Sequence, residues 1–154
     1  MEIRSANRGD LHAIVALCKL HGEYEKAAYD TSNKADLLSK HFFEDKSLQC
    51  YVVEHDSEIV GYATFMKQFS TWDATFYIYL DCLFLKAEVR GMGIGTSLMD
   101  KIKAYAKKEN CNIIQWQTPD FNKKAIAFYQ KIGGISKTKE RFFMQVSNSR
   151  NWLR

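Results

Sequence analysis

The 154-residue sequence predicts a single mixed α/β domain, and three observations carry that prediction. Hydrophobic spacing switches between the helical and the strand period along the chain. A glycine-rich turn separates one long strand from one strong helix. No repeat, low-complexity run or linker-like stretch suggests an internal boundary. A chain of this size buries roughly 68–70% of the surface its unfolded form exposes, enough for a self-sufficient core. Residues 1–154 are therefore read as one domain.

The elements follow in order. Met1 to Arg4 lacks the basic-then-apolar pattern of a signal peptide and reads as an opening strand. Leu11, Ile14, Val15 and Cys18 recur at helical spacing over 10–20, with Asp10 placed to cap the start. A second helix at 33–43 carries Leu38 and Phe42 on one face, with Asn33 as its cap. Two β-branched and aromatic runs, 49–54 and 58–66, are joined by His55, Asp56 and Ser57 as a hairpin. A long strand follows at 75–85. Residues 94–108 return to helix, with Ile94, Leu98, Ile102 and Tyr105 lining one face. A short strand at 112–117 precedes Pro119, and a helix at 122–132 is stopped by Gly133 and Gly134. Residues 141–146 are expected to close the fold as one more strand, giving the order β-αα-βββ-α-β-α-β.

Composition narrows the function classes. A profile of 46% hydrophobic, 14% aromatic and 26% charged residues excludes a disordered chain. No apolar stretch approaches the roughly 20 residues of a membrane helix, so no membrane role is expected. Cys18, Cys50, Cys82 and Cys111 show no CxxC spacing and sit in apolar surroundings. That argues against a disulfide framework or a zinc site and for a cytoplasmic protein without a metal. The net charge of +4 is either ordinary solubility charge or a response to a polyanionic ligand. Lys101, Lys103, Lys107 and Lys108 fall on the outer face of a helix, where lysines solvate. The basic residues are not interleaved with exposed aromatics, so a nucleic-acid partner is not expected.

The informative segment is Arg90-Gly91-Met92-Gly93-Ile94-Gly95. Three glycines on alternate positions let the backbone approach a ligand closely. The helix that starts there has unpaired N–H groups and a dipole that favours negative charge, which suits phosphate or pyrophosphate. A Walker loop needs a lysine that is missing, because Gly95 is followed by Thr96 and Ser97. A dinucleotide fingerprint needs glycine at position 96 and a βαβ setting, and has neither. A glycine turn without a ligand is the remaining alternative.

The segment matches the pyrophosphate signature Arg/Gln-x-x-Gly-x-Gly/Ala at Arg90, Gly93 and Gly95, and so resembles the GNAT acetyltransferase superfamily. The resemblance in element order covers nearly the whole chain. It implies a mostly antiparallel sheet with a splayed fourth strand and helices on both faces. Within the superfamily the sequence is most similar to the diamine or polyamine (spermidine/spermine-type) branch. Tyr79 to Leu85 resembles that branch's Tyr-Leu-Glu-Asp-Phe-Phe-Val strand. Asn122 with Phe128 and Tyr129 resembles its Asn-x-x-x-x-x-Phe-Tyr helix, and Tyr24-Glu25 resembles an amine-site pair. Asp81 stands where the branch has Glu, and Cys82 replaces an Asp, so the pocket has one fewer acid.

The resemblance implies acetyl-CoA as co-substrate, a small-molecule amine as acceptor, and a homodimer. Acetyl-CoA would lie on the backbone of Leu83, Phe84 and Leu85 and on the turn formed by Arg90, Gly91, Met92, Gly93, Ile94, Gly95 and Thr96. Asn122 would cap its helix or bond the pantetheine arm, or both. A free alkyl amine, with pKa near 10.4, is nucleophilic in only about one molecule in 10³ at pH 7. The site must therefore hold the cation and then remove its proton. Asp81 is the candidate base, directly or through water, and Glu25 the second acid; the alternative for each is a solvated carboxylate. Attack on the thioester builds negative charge on its oxygen, which a backbone N–H of the fourth strand would meet. Tyr129 is the candidate acid for the leaving thiolate; the alternative is a packed core tyrosine. Trp72 and Tyr77 offer an aromatic wall for an alkylammonium, with Tyr24 beside Glu25, and ordinary packing explains Trp72 and Tyr77 equally well. Competing readings are an acetyltransferase for another amine (amino acid, aminoalkyl compound or protein lysine) and a non-catalytic acyl-CoA-binding module.

Overall fold

The structure, a computed structural model, describes residues 1–147. Strands β1 (Glu2–Ser5), β2 (Gln49–His55), β3 (Glu58–Ser70), β4 (Thr75–Leu85) and β5 (Ile114–Gln115) form one sheet in the order β1-β2-β3-β4-β5. The first three pairings are antiparallel, and β4–β5 is parallel. Asp56 and Ser57 have φ of 50° and 61°. Two consecutive left-handed residues make the tight primed turn that matches strand twist, which closes the β2–β3 hairpin.

Both faces of the sheet are covered. Helix α1 (Leu11–Tyr24) and α2 (Lys34–Ser39, continued by a π turn at Lys40–Glu44) cover one face. There Ile14, Leu17 and Phe42 pack on Val52, Tyr62 and Phe84. On the other face lie α3 (Ile94–Lys108) and α4 (Lys123–Lys131). Ile94, Leu98, Met99, Ile102 and Ala106 of α3 meet Val53, Ala63, Phe65, Ile78 and Leu80 there, with Trp116 and Ile132 at the margin. Each large apolar side chain so buried contributes about 1.5–3 kcal/mol, which is what the helical spacing in α1 and α3 is for.

Four expectations need correction. Asp10 does not cap α1: its carboxylate accepts from the Arg4 guanidinium at 2.7 and 3.0 Å and from Asn7 N–H at 2.8 Å. A charged partner binds a carboxylate more strongly than a neutral amide does, and Asn7 caps the preceding 3₁₀ turn instead. Asn33 precedes α2 in the left-handed conformation and makes no side-chain cap bond. Helix α1 runs on to Tyr24, so Tyr24 belongs to it and Glu25 is its C-cap. Residues 141–146 form no strand. Their composition suits a strand, but no strand among the described residues lies beside them to pair their N–H and C=O groups. Phe142, Met144 and Val146 are 90%, 89% and 95% exposed.

Candidate active site

Two glycines shape the start of α3. Gly91 and Gly93 have φ of 77° and 79°, the left-handed region that disfavours a side chain, and nothing lies within 4 Å of where a Cβ would stand on either. Gly93 is the N-cap of α3 with no side-chain cap bond, and no acidic residue occupies the first turn. The leading N–H groups of the helix therefore face an open, uncapped space, the chemistry an anion requires. Gly95 works differently. A Cβ there would stand 2.9 Å from Cζ of Phe128, so the missing side chain makes room for the ring of α4. The neighbour of that ring in sequence is Tyr129.

Strand β4 carries a bulge at Asp81. Leu80 pairs with Phe65 and Cys82 with Thr64, which leaves Asp81 without a partner on β3. A bulge bends its strand and shifts the side-chain alternation by one. Ile78 and Leu80 lie in the core beneath α3, and Leu83 and Leu85 rejoin that face; Cys82 and Phe84 turn toward α1. On its other edge β4 pairs with β5 only at Ile78–Ile114 and Tyr79–Gln115. Beyond Leu80 the two strands part, so that edge of 81–85 has no ladder. This is the splayed fourth strand; apart from the Leu85 carbonyl, which accepts from Arg90, its outward backbone groups at 83–85 have no ladder partner among the described residues and can bond an extended ligand.

The ends of α1 and α4 meet over this gap. The Tyr24 hydroxyl donates to Asn122 Oδ1 at 3.0 Å, and the same oxygen accepts from Ala125 N–H at 3.3 Å, so Asn122 caps α4. The Arg90 Nε donates to the Leu85 carbonyl at 2.8 Å, and its guanidinium lies over the rings of Tyr24 and Phe84, 4.6 and 5.3 Å from their centroids. Tyr129 packs against Trp116 and Phe128 at ring separations of 5.1 and 5.3 Å. Burial, with the negative charge of Glu25, pushes its phenol up to about 12. It therefore keeps its proton at neutral pH. Burial, then the neighbouring Asp81 charge, pushes the Cys82 thiol up to about 12, so it is no thiolate nucleophile at neutral pH.

The predicted residues divide into two groups. Tyr24, Glu25, Phe84, Arg90, Asn122 and Tyr129 come together where α1, β4 and α4 converge, with Asp81 beside Cys82 on the bulge and the Gly91–Thr96 turn at the head of α3. Met92 and Thr96 are exposed, whereas Ile94 is buried and offers only its backbone. Trp72 and Tyr77 stand apart. Trp72 is 95% exposed on the β3–β4 turn, and the 11 residues of β4, roughly 36 Å of strand, lie between it and the glycine turn. The Tyr77 hydroxyl donates to its cross-strand neighbour Gln68 at 2.8 Å. Sequence reasoning passed over His21, whose ring nitrogens lie 3.0 Å from the Tyr62 hydroxyl and 3.2 Å from Glu25 Oε1. The signal was present as a His–Glu pair at i, i+4 on one helix.

Comparison with known proteins agrees with this fold. Residues 14–134 match the Acetyltransferase (GNAT) family. A thialysine N-epsilon-acetyltransferase of Sus scrofa is 30% identical over 146 residues, covering 89% of this chain and 85% of the relative. One of Caenorhabditis elegans is 28% identical over 130 residues, covering 83% and 80%. The solved structure of an aminoglycoside acetyltransferase from an uncultured soil metagenomic sample superposes with a TM-score of 0.81 at 16% identity, covering 95% of this chain and 96% of that one. The glycine turn before α3, the splayed β4 and the family match over most of its length lead to one conclusion: the chain belongs to the GNAT family and is an N-acetyltransferase acting on an amine.

Proposed function

We propose that the protein transfers the acetyl group of acetyl-CoA to a primary amine of a small alkyl diamine or polyamine, by direct attack when both are bound. The observation that carries this reading is the convergence of Glu25 and Tyr129 across the free edge of β4, with Tyr24 tied to Asn122 above it. The residues present fit acetyl-CoA: an uncapped helix N-terminus for its pyrophosphate, two glycines with open space, and an unpaired strand edge for its arm. Acetyl-CoA supplies the activated acyl group, and everything else falls to the chain. Glu25 and Asp81 hold the ammonium and accept its proton, directly or through water. A backbone N–H within 83–85 faces the oxygen where charge builds. Tyr129 donates to the departing sulfur. Its pKa of about 12 lies above the roughly 8.5 of a thiol, and complete transfer would be uphill by about 5 kcal/mol. The phenol therefore acts as a hydrogen bond that strengthens as the sulfur gains charge, while the proton that ends on the thiol comes from the amine nitrogen.

A second reading, acetylation of an amino acid with a terminal side-chain amine, is favoured by the thialysine acetyltransferase relatives and by Cys82 standing where the resembling branch has an acid. A thiol-release assay with acetyl-CoA against diamines, polyamines, lysine and thialysine separates the two. Diamines are expected to give the highest kcat/KM; a higher value for thialysine or lysine than for every diamine replaces the first reading with the second.

We also infer a homodimer. The exposed apolar side chains of Ile135, Phe142, Met144 and Val146, and the outer edge of β5, which pairs with no strand among the described residues, are both features that a second copy would cover. Light scattering after size exclusion is expected to give twice the chain mass, and a monomer at micromolar concentration overturns this.

A further inference from the structure

We infer that His21 is a positioning residue for the transfer reaction: it orients the Glu25 carboxylate and couples it to the strand that carries the acyl group. The inference rests on the reading of Glu25 as an amine-holding acid. His21 lies on the last turn of α1, mostly buried, and is held at three points. Its Nδ1 is 3.0 Å from the Tyr62 hydroxyl, and its Nε2 is 3.2 Å from Glu25 Oε1. Its ring stacks on Phe84 of β4 with centroids 5.2 Å apart and planes at 23°. Tyr62 is 1% exposed, so the hydroxyl that holds the ring is itself anchored in the core between α1 and β3.

The partners dictate the proton positions. An ionised carboxylate only accepts, so the neutral ring carries its proton on Nε2 and donates it to Glu25. Nδ1 then accepts from the Tyr62 O–H. The chain of bonds runs in one direction, from the buried hydroxyl through the imidazole to the carboxylate. Glu25 needs this support because of where it sits. It is the C-cap of α1, where the helix dipole disfavours negative charge, and the chain turns away at Lys26 with φ of 58°. The stack on Phe84 adds a geometric function. The backbone on either side of Phe84 is the segment proposed to carry the acyl arm, so the imidazole sets the distance between the acid that holds the amine and the strand that holds the thioester. Misplacement by about 1 Å in such an arrangement lowers a rate by as much as about 10²-fold.

The test compares His21→Leu, His21→Gln, His21→Asn and Glu25→Gln in the full chain, by kcat and KM for the amine, acetyl-CoA Kd and Tm. The Gln amide reaches the position of Nε2 and can still donate to Glu25; the Asn amide reaches only the position of Nδ1. His21→Leu is expected to lower kcat/KM for the amine about 10²-fold with acetyl-CoA Kd nearly unchanged. His21→Gln is expected to recover at least about tenfold of that loss, half of it on a logarithmic scale, and His21→Asn none. A purely structural role would lower Tm in all three variants without separating Gln from Asn. If His21→Leu does not fold, the Gln–Asn contrast decides by itself. Equal activity of the Gln and Asn variants, while Glu25→Gln is impaired, overturns the inference and leaves the amine-site reading standing. A fully active Glu25→Gln overturns both.

Discussion

Gly95→Ala adds one methyl group at the joint between α3 and α4. The new Cβ would stand 2.9 Å from Cζ of Phe128 and 3.4 and 3.5 Å from its two Cε atoms. Carbon atoms sit most favourably about 3.5–4.0 Å apart, so the ring must retreat by roughly 0.6–1.1 Å. Two effects on stability oppose each other. Alanine favours the helix over glycine by about 1 kcal/mol, and overpacking costs about 1–3 kcal/mol. The net change is a loss of about 0–2 kcal/mol, small enough for the variant to fold. The effect on catalysis is larger, because Phe128 and Tyr129 are consecutive residues of α4 and move together. A phenol displaced by most of an ångström from the departing sulfur is expected to lower kcat by about 10–10²-fold. Thiol release at saturating acetyl-CoA measures kcat, and thermal unfolding measures the stability change. Phe128→Leu in the Gly95→Ala background removes the collision and should recover part of kcat. An unchanged kcat together with a Tm raised by about 2–4 °C, the full helix-propensity gain of about 1 kcal/mol, would refute the packing argument.

Tyr129→Phe removes only the hydroxyl and should lower kcat by about 10²–10³-fold, the loss of one donor to developing charge, with little change in acetyl-CoA affinity. A phenol shifted upward to about 12 keeps its proton throughout the usual assay range. An alkaline loss of rate near pH 10 that disappears in Tyr129→Phe would contradict that role. Gly93→Asp places a side chain in the left-handed N-cap and a negative charge at the head of α3; isothermal titration should show acetyl-CoA binding abolished in a folded variant. Asp10→Asn replaces the carboxylate of a part-buried pair by a neutral amide while Arg4 keeps Glu54, and should lower stability by about 1–2 kcal/mol, measured by urea unfolding at pH 7. Arg4 holds the Asp10 carboxyl below its ordinary range, so this contribution is complete above the unfolded value near 3.9 and is lost as pH falls through the lower folded value; the gap between variant and parent should close in acid. Trp72→Ala, at the exposed β3–β4 turn, should leave kcat/KM for amines within about twofold, as expected of a surface substitution away from the site.

The local elements were legible because their causes are local. Helical spacing in Leu11–Cys18 and Ile94–Tyr105, the β-branched and aromatic runs at 49–54 and 58–66, and the alternate glycines of Arg90–Gly95 are properties of neighbouring residues. Together with the match at Arg90, Gly93 and Gly95, they determined an α/β fold with a glycine turn between β4 and α3. The tertiary structure decided what depends on contacts between distant segments. Whether 141–146 pairs as a strand depends on a neighbour that no pattern within it can supply. Asp10 looks like a helix cap in its own window, and only the fold brings Arg4 and Glu54 together beside it. The bulge that turns Leu83 and Leu85 to the opposite alternation is a mismatch between two strands, invisible in either alone. Gly95 reads in its own window as part of a phosphate loop, and only the fold shows that Phe128, 33 positions later, also packs against it. Trp72 and Asp81 are nine residues apart, close enough to suggest a shared pocket, yet an extended strand sends them to different ends of a hairpin. Sequence patterns report the period of the chain; side chains from α1, β4 and α4 meet only because burying two opposite sheet faces forces those elements to converge.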